Sequence, residues 1–190
     1  EPFVNTSQKA ALSDGKFRTY RMAMASTVEY SNFHIRRANK QFGSLQEKQE
    51  AVLSAMTVTL NRVNGVFERD FAVNMQLVPN NTEIIFIGTD NLTNDDGGKL
   101  LDQIQPVIDQ SIGFSNYDIG HVVSTGGGGV AILGSVCSSE KAKGVTGLDL
   151  PVGDPFDIDF VAHEIGHQFG AFHTFSNFCL IVGGLSSKHT

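Results

Sequence analysis

Tryptophan is absent from this chain of 190 residues, and cysteine is scarce, with Cys137 and Cys179 as the only two. Two cysteines exclude a small disulfide-framework peptide and allow at most one bridge, Cys137 to Cys179. Such a bridge would imply an oxidising compartment, whereas two reduced buried thiols satisfy the same count. No apolar run approaches the roughly 20 residues that a membrane helix needs. Positive charge is also in deficit, with 14 Lys and Arg against 20 Asp and Glu and a formal net charge of -6. Neither membrane nor nucleic acid is therefore expected as a partner. The chain begins at Glu1 with no charged-then-apolar leader, as expected of a processed product or an excised piece. What remains is a globular composition, 41% apolar and 18% charged, long enough for one domain to bury its own core.

Residues 1–16 show no hydrophobic period and are expected to form an N-terminal arm or the remnant of a removed segment. Phe17 to Ala25 alternates in its first half as a strand does. Ser44 with Glu47 forms a capping box, followed by Val52, Met56, Leu60, Val63 and Phe67 at helical spacing, which predicts the longest helix of the chain. Val73–Val78 and Glu83–Ile87 are predicted as two short strands separated by Pro79, Asn80 and Asn81. A helix follows over Gly98–Ser111, with Leu101, Ile104, Ile108 and Ile112 on one face and Pro106 expected to kink or split it. Tyr117–Ser124 is strand-like, four glycines occupy 126–129, and Val130–Val136 resumes an extended apolar pattern. Helices and strands alternate, so the fold class is α/β or α+β, without internal repeats. One domain is expected over 17–175, followed by an atypical tail over 176–190.

Asp154-Pro155-Phe156-Asp157 carries helix-start signals, with Asp154 as the expected cap, Pro155 at the first helical position and Asp157 favouring the positive end of the dipole. The predicted helix runs from Pro155 to about Phe169 and contains His163-Glu164-Ile165-Gly166-His167. Residues i and i+4 stand about 40° apart around a helix axis and about 6 Å along it, so both imidazoles leave one face and can grip one ion. Gly166 costs about 1 kcal/mol of helix propensity relative to Ala, which suggests a close approach there. Gly170 falls where the helix should stop and can turn the chain back, letting His173 come round as a third ligand. Three neutral imidazoles leave one position of a tetrahedral zinc ion open for water, whose pKa the metal lowers toward about 7. Glu164 can accept that water's proton and pass it to a leaving amine, which amounts to peptide hydrolysis without a covalent intermediate. From the chain's own frequencies, the five fixed letters of this pattern arise by chance on the order of 10⁻⁵ per chain.

The stretch from His163 to His173 resembles the long zinc-binding pattern of the metzincin metalloproteases. Tyr117-Asp118-Ile119-Gly120-His121-Val122, the glycine run, Gly134-Ser135-Val136-Cys137 and Gly144-Val145-Thr146-Gly147 are similar to bacterial reprolysin-like (adamalysin-like) domains. The similarity spans roughly Phe17 to Thr174. It implies a twisted mixed sheet with two long helices and an active-site helix at its base. It also implies that the strand around Gly129, Val130, Ala131, Ile132 and Leu133 is an edge that binds extended substrate by strand addition, since unpaired backbone groups give affinity without sequence preference. Metzincins carry a methionine-containing turn beneath the zinc site, after the third histidine. The methionines here are Met22, Met24, Met56 and Met75, and Ser176–Thr190 does not resemble the family's C-terminal subdomain, which is expected to be short or missing.

Other patterns are weaker. Gly126 to Ala131 also satisfies the outline of a dinucleotide fingerprint, but Ile132–Cys137 lacks the helix on which a pyrophosphate would sit. His34 and His121 are expected as hydrogen-bonded structural residues. Asp90, Asp95 and Asp96 do not match the spacing of a known calcium loop, so calcium has no support, and Arg36, Arg37 and Lys40 form a solvated face. Glycosylation-type triplets begin at Asn5, Asn80 and Asn91 and matter only in a secretory pathway. The leading expectation is a secreted, monomeric, zinc-dependent endopeptidase acting on peptides or proteins, with ligands His163, His167 and His173 and base Glu164. The alternative is a zinc-binding but catalytically silent fragment that at most binds peptides along its edge strand.

Overall fold

The computed structural model describes residues 14–173. Its first strand, β1 (Arg18–Ser26), places Met22 and Met24 on one face and Ala23 and Ala25 on the other, all fully buried. A strand with both faces in the core belongs in the middle of a covered sheet. The order is β2-β1-β3-β5-β4, formed with β2 (Val73–Leu77), β3 (Ile119–Ser124), β4 (Gly128–Ala131) and β5 (Gly144–Gly147). β2, β1, β3 and β5 are parallel, while β4 runs antiparallel to β5 and occupies one edge.

Helices cover both faces. α1 (Val28–Arg37) starts at Thr27, whose hydroxyl accepts from Tyr30 N. α2 (Leu45–Phe71) starts at the predicted capping box, in which Ser44 and Glu47 each satisfy the other's backbone N–H. With the later histidine-bearing helix they enclose Met22, Met24, Tyr30, Met56, Phe67, Phe156 and Ile165. α3 (Gly97–Ser111) packs the opposite face through Leu100, Leu101, Ile104 and Ile108. Burying side chains of this kind contributes about 1.5–3 kcal/mol each. All four methionines lie in this interior, the methionine face being that of α2.

Three sequence expectations change. Residues 83–87 do not form a strand; a 3₁₀ turn covers Asn81–Ile84, and Ile85 makes a single bridge to Ser26. The reason lies at the edge of β1 that a further strand would have paired. Buried Asn81 imitates a peptide there, its Oδ1 accepting from Met24 N and its Nδ2 donating to Met24 O, both at 2.9 Å. Pro106 does not split α3, because it lies on the exposed side, where water can serve the carbonyl it leaves without a donor. The extended pattern over Val130–Val136 ends as a strand at Ala131; Ile132 keeps one bond to Lys143 O before the chain turns at Gly134.

Candidate metal centre

The segment that carries the histidines is helical from Asp154 to Gln168 but not uniformly so. A short α4 (Asp154–Phe156) passes into a π-helical turn (Asp157–Ala162) and then into α5 (His163–Gln168). Asp154 is not the cap. Gly153, at φ 74°, holds that position, and Asp154 lies inside the first turn, where its carboxylate pairs with Arg62 of α2. Asp157 does more than complement a dipole. It is 2% exposed, accepts from Thr59 Oγ1 at 2.7 Å and lies 3.4 Å from Arg62 Nε, which fastens this helix to α2. π-helical turns of this kind concentrate at functional sites.

Beyond the turn, His163 and His167 leave one face of α5. Gly170, at φ 96°, lies in the reversal that brings His173 back. The three Nε2 atoms converge, with His163–His167 at 3.0 Å, His167–His173 at 3.0 Å and His163–His173 at 3.1 Å. His167 Nδ1 lies 2.6 Å from the carbonyl of Ala171, so it carries the proton and leaves Nε2 with its lone pair turned inward. Tetrahedral ligands at about 2.0–2.1 Å from zinc lie roughly 3.3 Å apart, close to the spacing found here. Three imidazole nitrogens at this spacing can all face one ion, so the donor set fits a metal ion. Among the described residues, this is the cluster of three ligand-type side chains that comes together.

Glu164 follows His163 on α5. It is 6% exposed and lies against the edge strand at Gly129, and burial raises its carboxyl above the usual range while His167 opposes the shift. His163 is shifted down, chiefly by burial and then by its two imidazole neighbours. The close approach expected at Gly166 is not found, since a Cβ there would meet only Ala171 Cβ, at 3.9 Å. Gly129 is tight instead, against Glu164. Of the five expected edge residues, Gly129, Val130 and Ala131 lie on β4, while Ile132 and Leu133 lie beyond its end. A cleft of about 540 Å³ flanks the imidazoles, walled by Val66, Phe67 and Phe71 of α2 with Ile158 and Phe172.

The remaining sequence candidates have local explanations. The glycine run leads into β4, not into a helix. Asp90 accepts from Val28 N and Leu92 N, Asp96 caps α3, and Asp95 accepts from Asn94 Nδ2. His34 is buried against Tyr30 and Phe33, and His121 is fully buried between Gln168 and Thr146. Cys137 is exposed, whereas Cys179 lies outside the described residues. Gln168 is what the sequence reading passed over. A polar residue next to a ligand, on the helix face shared by Ile165, was the available signal.

Among solved structures the chain resembles one described as "Structure of a chaperone-substrate complex", with a TM-score of 0.53 at 15% identity over 83% of this chain. It spans 25% of that chain, and the likeness speaks to fold alone. No curated protein matches. The family comparison reaches further, because residues 53–174, from within α2 through the third histidine, match the family described as "Metallo-peptidase family M12B Reprolysin-like". That stretch is more than half of the sequence and includes the whole imidazole cluster, so the chain belongs to the reprolysin-like M12B metallopeptidases.

Proposed function

We propose that this chain is a zinc-dependent endopeptidase in which His163, His167 and His173 hold the ion and Glu164 is the general base. The observation that carries the reading is the position of Glu164, which follows the first histidine on α5 and lies against Gly129 of the free edge. Zinc, the metal this family implies, supplies Lewis acidity when bound and lowers the pKa of water to about 7. Glu164 takes the proton of the attacking water and delivers it to the departing amine, a role contributing about 10²–10⁴-fold. His167, oriented by the Ala171 carbonyl, keeps its Nε2 unprotonated for the metal.

Substrate lies along β4. Ile132 N donates to Lys143 O, and with Ala131 opposite Gly144 this register makes Val130–Val145 a hydrogen-bonded pair. The N–H and C=O groups of Gly129 and Ala131 then point away from β5, toward an added strand. Ala131→Pro removes one outward donor without breaking the β4–β5 ladder. Net hydrogen-bond energies of about 0.5–1.5 kcal/mol translate into a KM rise of about three- to tenfold with kcat retained. Steady-state kinetics on an extended peptide should show this split; an unchanged KM would remove Ala131 from the binding edge.

The function itself is tested by zinc content together with hydrolysis of a quenched peptide library, comparing the chain with Glu164→Ala and with chelator-treated protein. One zinc per chain, with cleavage lost in both controls, is expected. Zinc without cleavage would leave the non-catalytic alternative, and no zinc would exclude the three-histidine site.

A further inference from the structure

Gln168 directly follows His167, yet its side chain enters the core on the opposite side of α5 and is fully buried. Its Nε2 donates to the carbonyl of Gly120 at 2.8 Å and lies 3.4 Å from Lys141 O and 3.5 Å from Ser135 Oγ. Two carbonyls against this nitrogen fix the amide's orientation, because the flipped amide would aim its oxygen at them. Oε1 therefore faces His121 Nδ1, at 2.9 Å, and Nδ1 must carry the proton. His121 Nε2 is left as an acceptor for the hydroxyl of Thr146, also at 2.9 Å. Every proton in the sequence Thr146, His121, Gln168 and Gly120 has one consistent position with a neutral imidazole. Desolvation keeps that imidazole neutral, its pKa pushed down to about 4.

This chain of hydrogen bonds connects three parts of the site. Thr146 belongs to β5, His121 to β3, and Gln168 to the helix bearing two of the proposed ligands. Gly144, also on β5, is adapted to it, since a Cβ there would collide with both Gln168 Oε1 and His121 Nδ1. The loop leaving β4 is fastened to the same helix end, with Gly134 N donating to His167 O at 2.9 Å and Val136 N to Gln168 O at 3.2 Å.

We infer that Gln168 is a positioning residue of the metal centre, and that its buried bonds to His121, Gly120 and Ser135 fix how α5 is rotated against the sheet and edge-strand loop. The inference rests on the metallopeptidase reading for the identity of the ion. Removal of a partner bonded directly to a ligand typically weakens metal binding 10–100-fold; Gln168 bonds none of the three ligand histidines and acts one step further out, through the placement of α5.

The test measures zinc affinity by chelator competition and the absorption spectrum of the cobalt-substituted protein. Gln168→Met retains length and apolar bulk but loses every polar bond. It is expected to weaken zinc about tenfold, the lower end of the range for partners bonded directly to a ligand, and to alter the cobalt bands. Asn64→Leu is the control for general damage, because Asn64 makes two buried bonds to Met75 that fasten α2 to β2. It should lower stability yet leave affinity and spectrum unchanged. If Gln168→Met does not fold, Thr146→Val tests the far end of the same chain and should weaken zinc severalfold with a milder spectral change. Wild-type affinity and cobalt spectrum in whichever of these variants folds would overturn the inference. Wild-type protein that holds zinc without cleaving peptides would sink the proteolytic reading alone, since affinity and spectrum carry this one.

Discussion

Gly129→Ala is expected to cut kcat at least a hundredfold while the chain still takes up one zinc. A Cβ on Gly129 would stand 2.5 Å from Glu164 Oε1, 2.6 Å from its Cγ and 2.7 Å from its Cδ. Carbon does not approach carbon so closely, and the collision involves the inner part of the side chain as well as its tip. Glu164 is buried between α5 and β4, so it must rotate out of its position or push the edge strand outward. Backbone strain plays no part, because Gly129 is not among the positive-φ glycines. Displacing a general base forfeits about 10²–10⁴-fold, whereas the three atoms nearest the added methyl all belong to Glu164 and not to an imidazole. Kinetics at matched zinc occupancy separate these effects. A variant retaining kcat within about threefold of wild type would show that Glu164 does not act from this position.

Acid should destabilise the fold well above the ordinary carboxylate range. His34 and His121 are both buried, and desolvation lowers each to about 4 from an ordinary 6.5. The native state therefore keeps both neutral, while the unfolded chain binds a proton at each as pH falls through 6.5. Stability from this source is complete above about 6.5, falls by about 1.4 kcal/mol per pH unit for each histidine, and levels off near 4. The total is about 3 kcal/mol per histidine. Asp157 and Glu164, both raised by burial, act in the opposite sense at the acid end of this window, so the difference between variants is the informative quantity. His34→Phe retains an aromatic ring beside Tyr30 and removes one proton from the slope. Urea unfolding of zinc-free protein between pH 7 and 4.5 should show the variant with a pH dependence flatter by that one proton. Parallel curves would mean that His34 is not held neutral.

The clustering of the three imidazoles is legible from local spacing. The histidine separation within a helix, and a glycine able to adopt positive φ before the third, depend only on helix geometry and the absence of a Cβ. The capping box at Ser44 and Glu47 and the periodic face of α2 were legible for the same reason. The failures occurred where a distant residue competed with a local pattern. Residues 83–87 have strand-like composition, but Asn81 already occupies the backbone groups of Met24 that another strand would have used. Asp154 has the chemistry of a cap, but Arg62, on another helix, takes its carboxylate.

The sequence by itself determined which atoms could bind a cation, because local geometry alone places histidines four and six residues apart, within one helix and its turn, near one another. Only the tertiary structure decided what those atoms face. Glu164 against Gly129, and Gln168 against His121, are pairs separated by 35 and 47 residues. Nothing in their spacing brings them together; β3, β5 and β4 must first pair side by side and α5 must pack across them. Burial then sets which protons are held and which bonds form, and burial belongs to the assembled sheet and helices as a whole.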